Sequence, residues 1–70
     1  METTIAITVN GEKRSVAADL FVTDLLRELG LESGRVAIER NLEIFPRAMW
    51  AETKIADGDR YEIVQFVGGG

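Results

Sequence analysis

The sequence contains no cysteine and no histidine. Those two absences exclude disulfide cross-links, thiolate nucleophiles, imidazole general bases and zinc centres of the usual kind. It also lacks a cluster of basic residues: 8 Lys and Arg are scattered among 12 Asp and Glu, for a net charge of −4. Binding to a phosphate backbone relies on clustered cations, so nucleic acid is not an expected partner. The acids run along the chain from Glu2 to Glu62 and read first as a solvated surface, secondarily as attraction toward basic surfaces on partner proteins. No long apolar run is present, and Met1-Glu2-Thr3-Thr4 has no basic leader region. A cytoplasmic chain without signal peptide or membrane span is therefore expected. Internal repeats are missing too, and low complexity is confined to the closing Gly68-Gly69-Gly70.

What remains is a short chain rich in apolar residues. Its 70 residues allow one domain, with 46% hydrophobic and 29% charged residues, a balance that fits a folded domain rather than a disordered segment. A domain this small buries only about 60% of its unfolded surface, so its core is thin. Residues 1–67 are expected to form that domain, and residues 68–70 a flexible tail.

The pattern opens with strand alternation. Ile5, Ile7 and Val9 share one face and Thr4, Ala6 and Thr8 the other. Asn10-Gly11 is a strong hairpin signal because both residues tolerate positive φ, so Glu12 to Val16 reads as the returning strand. Val22, Leu25, Leu26 and Leu29 stand at i, i+3, i+4 and i+7, the stripe of an amphipathic helix. Gly30 follows as its stop, and Leu31 is placed to fold back against the helix end. Thr23 or Asp19 is the expected cap.

Beyond the helix, Val36 to Arg40 reads as a strand and Asn41-Leu42-Glu43 as a turn. Ile44-Phe45 is a short extended piece before Pro46, since the residue preceding proline disfavours helix. Arg47 to Thr53 is predicted to make one helical turn with Met49 or Trp50 reaching inward. Asp57-Gly58-Asp59 is a tight turn. Carboxylates at i and i+2 can share a cation, but no further ligand lies close by in sequence. Arg60 to Val67 is the last strand, with Tyr61 and Ile63 expected in the core. The order predicts an α+β fold: a mixed four- to five-stranded sheet with one main helix packed across one face, and the first and last strands parallel neighbours. Pattern alone leaves other small α+β folds open beside the β-grasp, or ubiquitin-like, arrangement.

Several short segments together resemble a known family. They are Ile38-Glu39-Arg40-Asn41, Ile44, Pro46-Arg47, Trp50-Ala51-Glu52-Thr53, Asp57-Gly58-Asp59, and Glu62-Ile63-Val64 leading through Phe66-Val67 to the three glycines. In order and spacing this is similar to the ThiS family of sulfur carriers in thiamine biosynthesis. The likeness spans nearly the whole chain, and Phe21, where a Thr or Ser cap is expected, is one departure from it. The resemblance implies a β-grasp fold and a substrate rather than an enzyme. It implies that Gly70 carries the modification, first as an acyl-adenylate and then as a thiocarboxylate, with Gly68 and Gly69 threading the tail into partner sites. It implies three partners: a ThiF-like adenylyltransferase that uses ATP and magnesium, a cysteine desulfurase or related sulfur donor, and a ThiG-like thiazole synthase. No cofactor and no metal bound to this chain is implied, and a monomer is the simple expectation. A carrier for another pathway, of the molybdopterin MoaD kind, and a ubiquitin-like protein modifier are the alternatives. Only Lys13 and Lys54 are available for self-linkage, which disfavours a polymerising tag.

A bare glycine end suits such chemistry. Without Cβ atoms the tail enters a narrow channel and approaches a nucleotide closely. Ordering it costs about 1–2 kcal/mol per residue, more for glycine, so a docking surface on the folded domain must offset the loss. The expected surface is Val64 and Phe66 on the outer face of the last strand with Val67 at the root of the tail, joined by Phe45; the alternative is that Phe66 completes the core.

Overall fold

The predicted alternation forms strand β1 (Thr4–Val9) in the computed structural model, which describes residues 3–31 and 35–66. Asn10 and Gly11 take φ of 51° and 84°, and the chain returns as β2 (Glu12–Ala17) with Val9 opposite Glu12 and Ile5 opposite Val16. β2 forms one edge of the sheet, and its Glu12, Lys13, Arg14 and Ser15 are all exposed. Charge on an edge strand discourages pairing with other chains.

Helix α1 (Val22–Glu28) buries Val22, Leu25 and Leu26, as the apolar stripe requires. Its start corrects the sequence expectation: neither Thr23 nor Asp19 is the cap, and Phe21 holds that position. The first-turn N–H groups are satisfied in another way. The Phe21 N–H donates to Asp24 Oδ2 at 2.9 Å. The Val22 and Thr23 N–H groups donate to the Thr53 and Trp50 carbonyls at 3.0 and 3.4 Å. A loop more than twenty-five residues downstream thus does the work of a polar cap, and Phe21 pairs with Lys54 in an isolated bridge. At the other end Gly30 has φ 76°. The Gly30 N–H donates to the Arg27 carbonyl and the Leu31 N–H to that of Leu26, at 3.1 and 2.8 Å, a Schellman closure that folds Leu31 back as expected.

Strand β3 (Arg35–Arg40) follows, then β4 (Glu43–Ile44), a 3-10 turn (Arg47–Met49) and β5 (Arg60–Phe66). The turn between β3 and β4 is shorter than expected: only Asn41 and Leu42 form it, at φ 52° and 73°, and Glu43 already pairs with Arg40. The sheet order is β2-β1-β5-β3-β4. β1 and β5 are parallel and the other pairs antiparallel. With α1 packed across one face, this is the β-grasp architecture.

The core lies between the helix and that inner face. Ile7, Val9, Val16, Val36, Ile38, Tyr61 and Ile63 from the strands meet Val22, Leu25 and Leu26 from the helix, and Trp50 and Ile55 close one side. Trp50, not Met49, is the residue that reaches inward. Its Nε1–H donates to the Phe45 carbonyl at 3.0 Å, and the Arg47 guanidinium lies 4.5 Å from its ring centroid. Among the described residues no helix is long and apolar enough to cross a membrane.

Candidate docking face at the root of the C-terminal segment

Strand alternation divides β5 between two environments. Tyr61 and Ile63 point into the core, whereas Val64 and Phe66 each stay 56% exposed on the opposite face. Register across the sheet then sets the rows of that outer face. Phe66 lies opposite Arg35, Val64 opposite Ala37, and Glu62 opposite Glu39, which is in turn opposite Ile44 of β4. The face therefore carries an apolar step of Val64 and Ala37 with Phe66 on the tail side, and a row of two carboxylates ending in Ile44.

A groove of about 480 Å³ continues from this face around the short β4 strand, between Val64, Ile44, Phe45, Pro46 and Trp50. Phe45 shares that groove, but it is half-buried and packed against the core, with the Arg40 guanidinium 5.5 Å from its ring centroid. Of the other sequence-predicted site residues, Val67, Gly68, Gly69 and Gly70 lie outside the described residues. Pattern reading missed Ile44, 83% exposed, and Leu42, 74% exposed. Antiparallel pairing through a two-residue turn would have revealed Ile44: with Ile38 inward, Glu39 points outward and so does its partner.

Two polar clusters fix the strand that carries the face. The first is Asn10, in the β1–β2 turn. Its Oδ1 accepts from the Ile63 N–H at 2.7 Å and its Nδ2 donates to the Ile63 carbonyl at 3.1 Å. Backbone pairing between β1 and β5 ends at Val9 and Tyr61, so the Asn10 side chain acts as one further rung, three residues short of Phe66. The second cluster surrounds Asp59, 5% exposed. Its Oδ2 accepts from the Ala56 N–H at 2.9 Å, the Tyr61 hydroxyl at 2.8 Å and Arg40 Nε at 3.1 Å. Its Oδ1 accepts from Asn41 Nδ2 at 3.1 Å. Asp57, at the other end of the same turn, accepts from the Ala6 N–H at 2.8 Å. The Asp57-Gly58-Asp59 segment is thus a turn, as its sequence indicates, and also the anchor of β5 to its neighbours.

The electrostatics follow from this packing. Burial pushes the Asp59 carboxyl up, but donation from Ala56, Tyr61, Asn41 and Arg40 outweighs it and holds the group below the ordinary carboxylate value. Burial and the bond to anionic Asp59 both push the Tyr61 phenol well up, so it remains a protonated donor. Burial pulls the Arg40 guanidinium down, yet the Asp59 bond and charge leave it raised. No cluster of three or more metal-ligating side chains occurs among the described residues.

Comparison with known proteins extends this geometry. A segment of a thiazole synthase from Paramagnetospirillum magneticum is 50% identical over 64 residues, covering 91% of this chain. The chain spans only 20% of that protein's length. The sulfur carrier protein ThiS of Bacillus subtilis is 45% identical over 49 residues, 70% of this chain and 74% of that protein. The crystal structure of a thiamine biosynthesis protein, ThiS, from Geobacter metallireducens superposes with a TM-score of 0.78 at 38% identity, over 94% of this chain and 100% of that one. Residues 7–70 match the ThiS family, and on that match the chain belongs to it.

Proposed function

We propose that this chain is a sulfur carrier for thiamine biosynthesis, and that its C-terminal Gly70 carboxylate is the carrying group. The observation that supports this most is the family match, which runs from residue 7 through the three glycines to residue 70. The composition supports it independently, because with neither Cys nor His no side chain is suited to hold sulfur covalently. A carboxylate is a poor electrophile. A ThiF-like adenylyltransferase using ATP and magnesium would join it to AMP with release of pyrophosphate. A persulfide from a cysteine desulfurase or related donor then displaces AMP, and thiol reduction of the resulting acyl disulfide leaves the thiocarboxylate. Stabilisation of the carbonyl charge during these steps belongs to the partner's donors. The chain itself acts as substrate rather than enzyme.

A ThiG-like thiazole synthase is the proposed recipient. A thiazole synthase that contains a segment 50% identical to this chain supports the pairing, since the two functions then reside in one polypeptide. In this reading residues 1–67 are the folded domain, Gly68 to Gly70 enter the partners' sites, and Val64, Phe66 and Val67 with Phe45 on their flank form the docking face. The test is the intact mass of the chain after incubation with ATP, magnesium, the adenylyltransferase and a persulfide donor. A gain equal to one oxygen-to-sulfur exchange, located at Gly70, is expected. An unchanged mass, or a stable isopeptide adduct with another protein, would overturn the reading.

A further inference from the structure

Glu39 and Glu62 lie directly opposite one another on the exposed outer face, on neighbouring strands. Like charges placed so are destabilising. Neither carboxylate has a cationic partner among the described residues. The Val64–Ala37 step is the next row along the same two strands, and Ile44, the most exposed large hydrophobic residue described, continues the acidic row past Glu39. An acidic pair that makes no ion pair, with exposed apolar residues in its own row and the next, serves folding poorly. It suits a partner that brings a cation and apolar side chains together.

We infer that this row binds the activating enzyme through an arginine or lysine inserted between Glu39 and Glu62, with flanking apolar side chains on Val64 and Ile44. The inference rests on the carrier reading above. Chain geometry also constrains the partner. Gly70 is the sixth residue after Val64, so the terminal carboxylate reaches no more than about 22 Å from the Val64 step. The partner's basic residue must therefore lie within roughly that distance of its nucleotide, and a cation there also steers encounter with this acidic chain.

The experiment is ATP–pyrophosphate exchange by the organism's own adenylyltransferase, with the full-length chain as the varied substrate. The Glu39→Gln/Glu62→Gln chain is compared with a charge-matched Glu12→Gln/Glu28→Gln control on surfaces remote from the face. The expected result is a KM for the first variant raised at least about tenfold, with kcat retained and with loss of most of the salt dependence seen for wild type. Its melting temperature should equal or exceed that of wild type, which separates docking from a structural role. The control should keep the wild-type KM. If wild type supports exchange but both variants share its KM, the docking inference is wrong and the carrier reading stands. If wild type supports no exchange, both fall.

Discussion

Replacing Asp59 with Asn tests the anchor beneath the docking face. The change is nearly isosteric, yet all four contacts to this side chain come from donors: Ala56 N–H, Tyr61 Oη, Arg40 Nε and Asn41 Nδ2. A carboxylate accepts on both oxygens, whereas an amide must present its NH₂ to at least one donor. If its oxygen takes the place of Oδ2, its nitrogen meets Asn41; turned over, it meets three donors at once. Loss of one charge-assisted bond, with a donor left facing a donor in a buried site, is worth about 3 kcal/mol. A chain of this size has a total stability of roughly 3–10 kcal/mol. At about 4–8 °C per kcal/mol the melting temperature should fall by roughly 12–24 °C at pH 7. The pH dependence sharpens the test. The carboxyl of Asp59 is held below its ordinary value in the folded chain. Its contribution is therefore complete above the unfolded-state value of about 3.9 and is lost as pH falls through the lower folded value. Thermal melts followed by circular dichroism should show a wide gap between wild type and Asp59→Asn at pH 7 that narrows steadily below about pH 4. The other carboxylates titrate in both chains and cancel in the difference. A gap below about 3 °C at neutral pH, or one of constant width down to acid, would refute the reasoning.

Further outcomes follow from single features. Asn10→Gly keeps the positive φ but removes both bonds to Ile63, so it should cost about 1–2 kcal/mol and lower hydrogen-exchange protection of the Ile63 amide more than that of Ile7. Leu42 holds φ 73° on the surface without a glycine's freedom. Leu42→Gly should therefore raise stability by about 0.5–1 kcal/mol in urea melts. Phe66→Ala should alter stability by no more than about 0.5 kcal/mol, as befits an exposed side chain, yet lower the efficiency of adenylation about tenfold. Wild-type rates of adenylation and thiazole formation with that variant would exclude Phe66 from docking.

Local rules carried most of the fold. Asn10-Gly11 announces its hairpin because both residues accept positive φ, and the Val22 to Leu29 stripe announces its helix because its spacing permits one buried face. The places where reading failed share a cause, since each depends on partners distant in sequence. Phe21 caps α1 only because the carbonyls of Trp50 and Thr53 fold back to meet the first turn. Asn41-Leu42 closes a two-residue turn although leucine is poorly suited to it. Asn41 is held from both sides, its Oδ1 accepting from the Arg60 N–H and its Nδ2 donating to Asp59. That misplaced turn then concealed Ile44, because one extra turn residue reverses the face on which it emerges. Asp59 looked like any turn aspartate; its role depends on Arg40 and Asn41, 19 and 18 residues away.

The two faces of β5 explain why a chain this small can present an apolar surface and remain folded. Tyr61 and Ile63 take the inward positions and are locked through Asp59 and Asn10, so the strand does not depend on its outward residues for stability. Val64 and Phe66 are left exposed for the docking proposed above. That exposure matters energetically, because ordering three tail residues costs about 3–6 kcal/mol. Covering roughly 200 Å² of apolar surface at about 25 cal/mol per Å² contributes about 5 kcal/mol at most. In the docking inferred above the two terms nearly cancel, which would leave specificity and encounter rate to the carboxylates of Glu39 and Glu62 and keep the complex short-lived. The proposed carrier role, in which the chain releases one enzyme to reach the next, requires that balance, and enlarging the apolar step, as in Ala37→Leu, should slow turnover by slowing release.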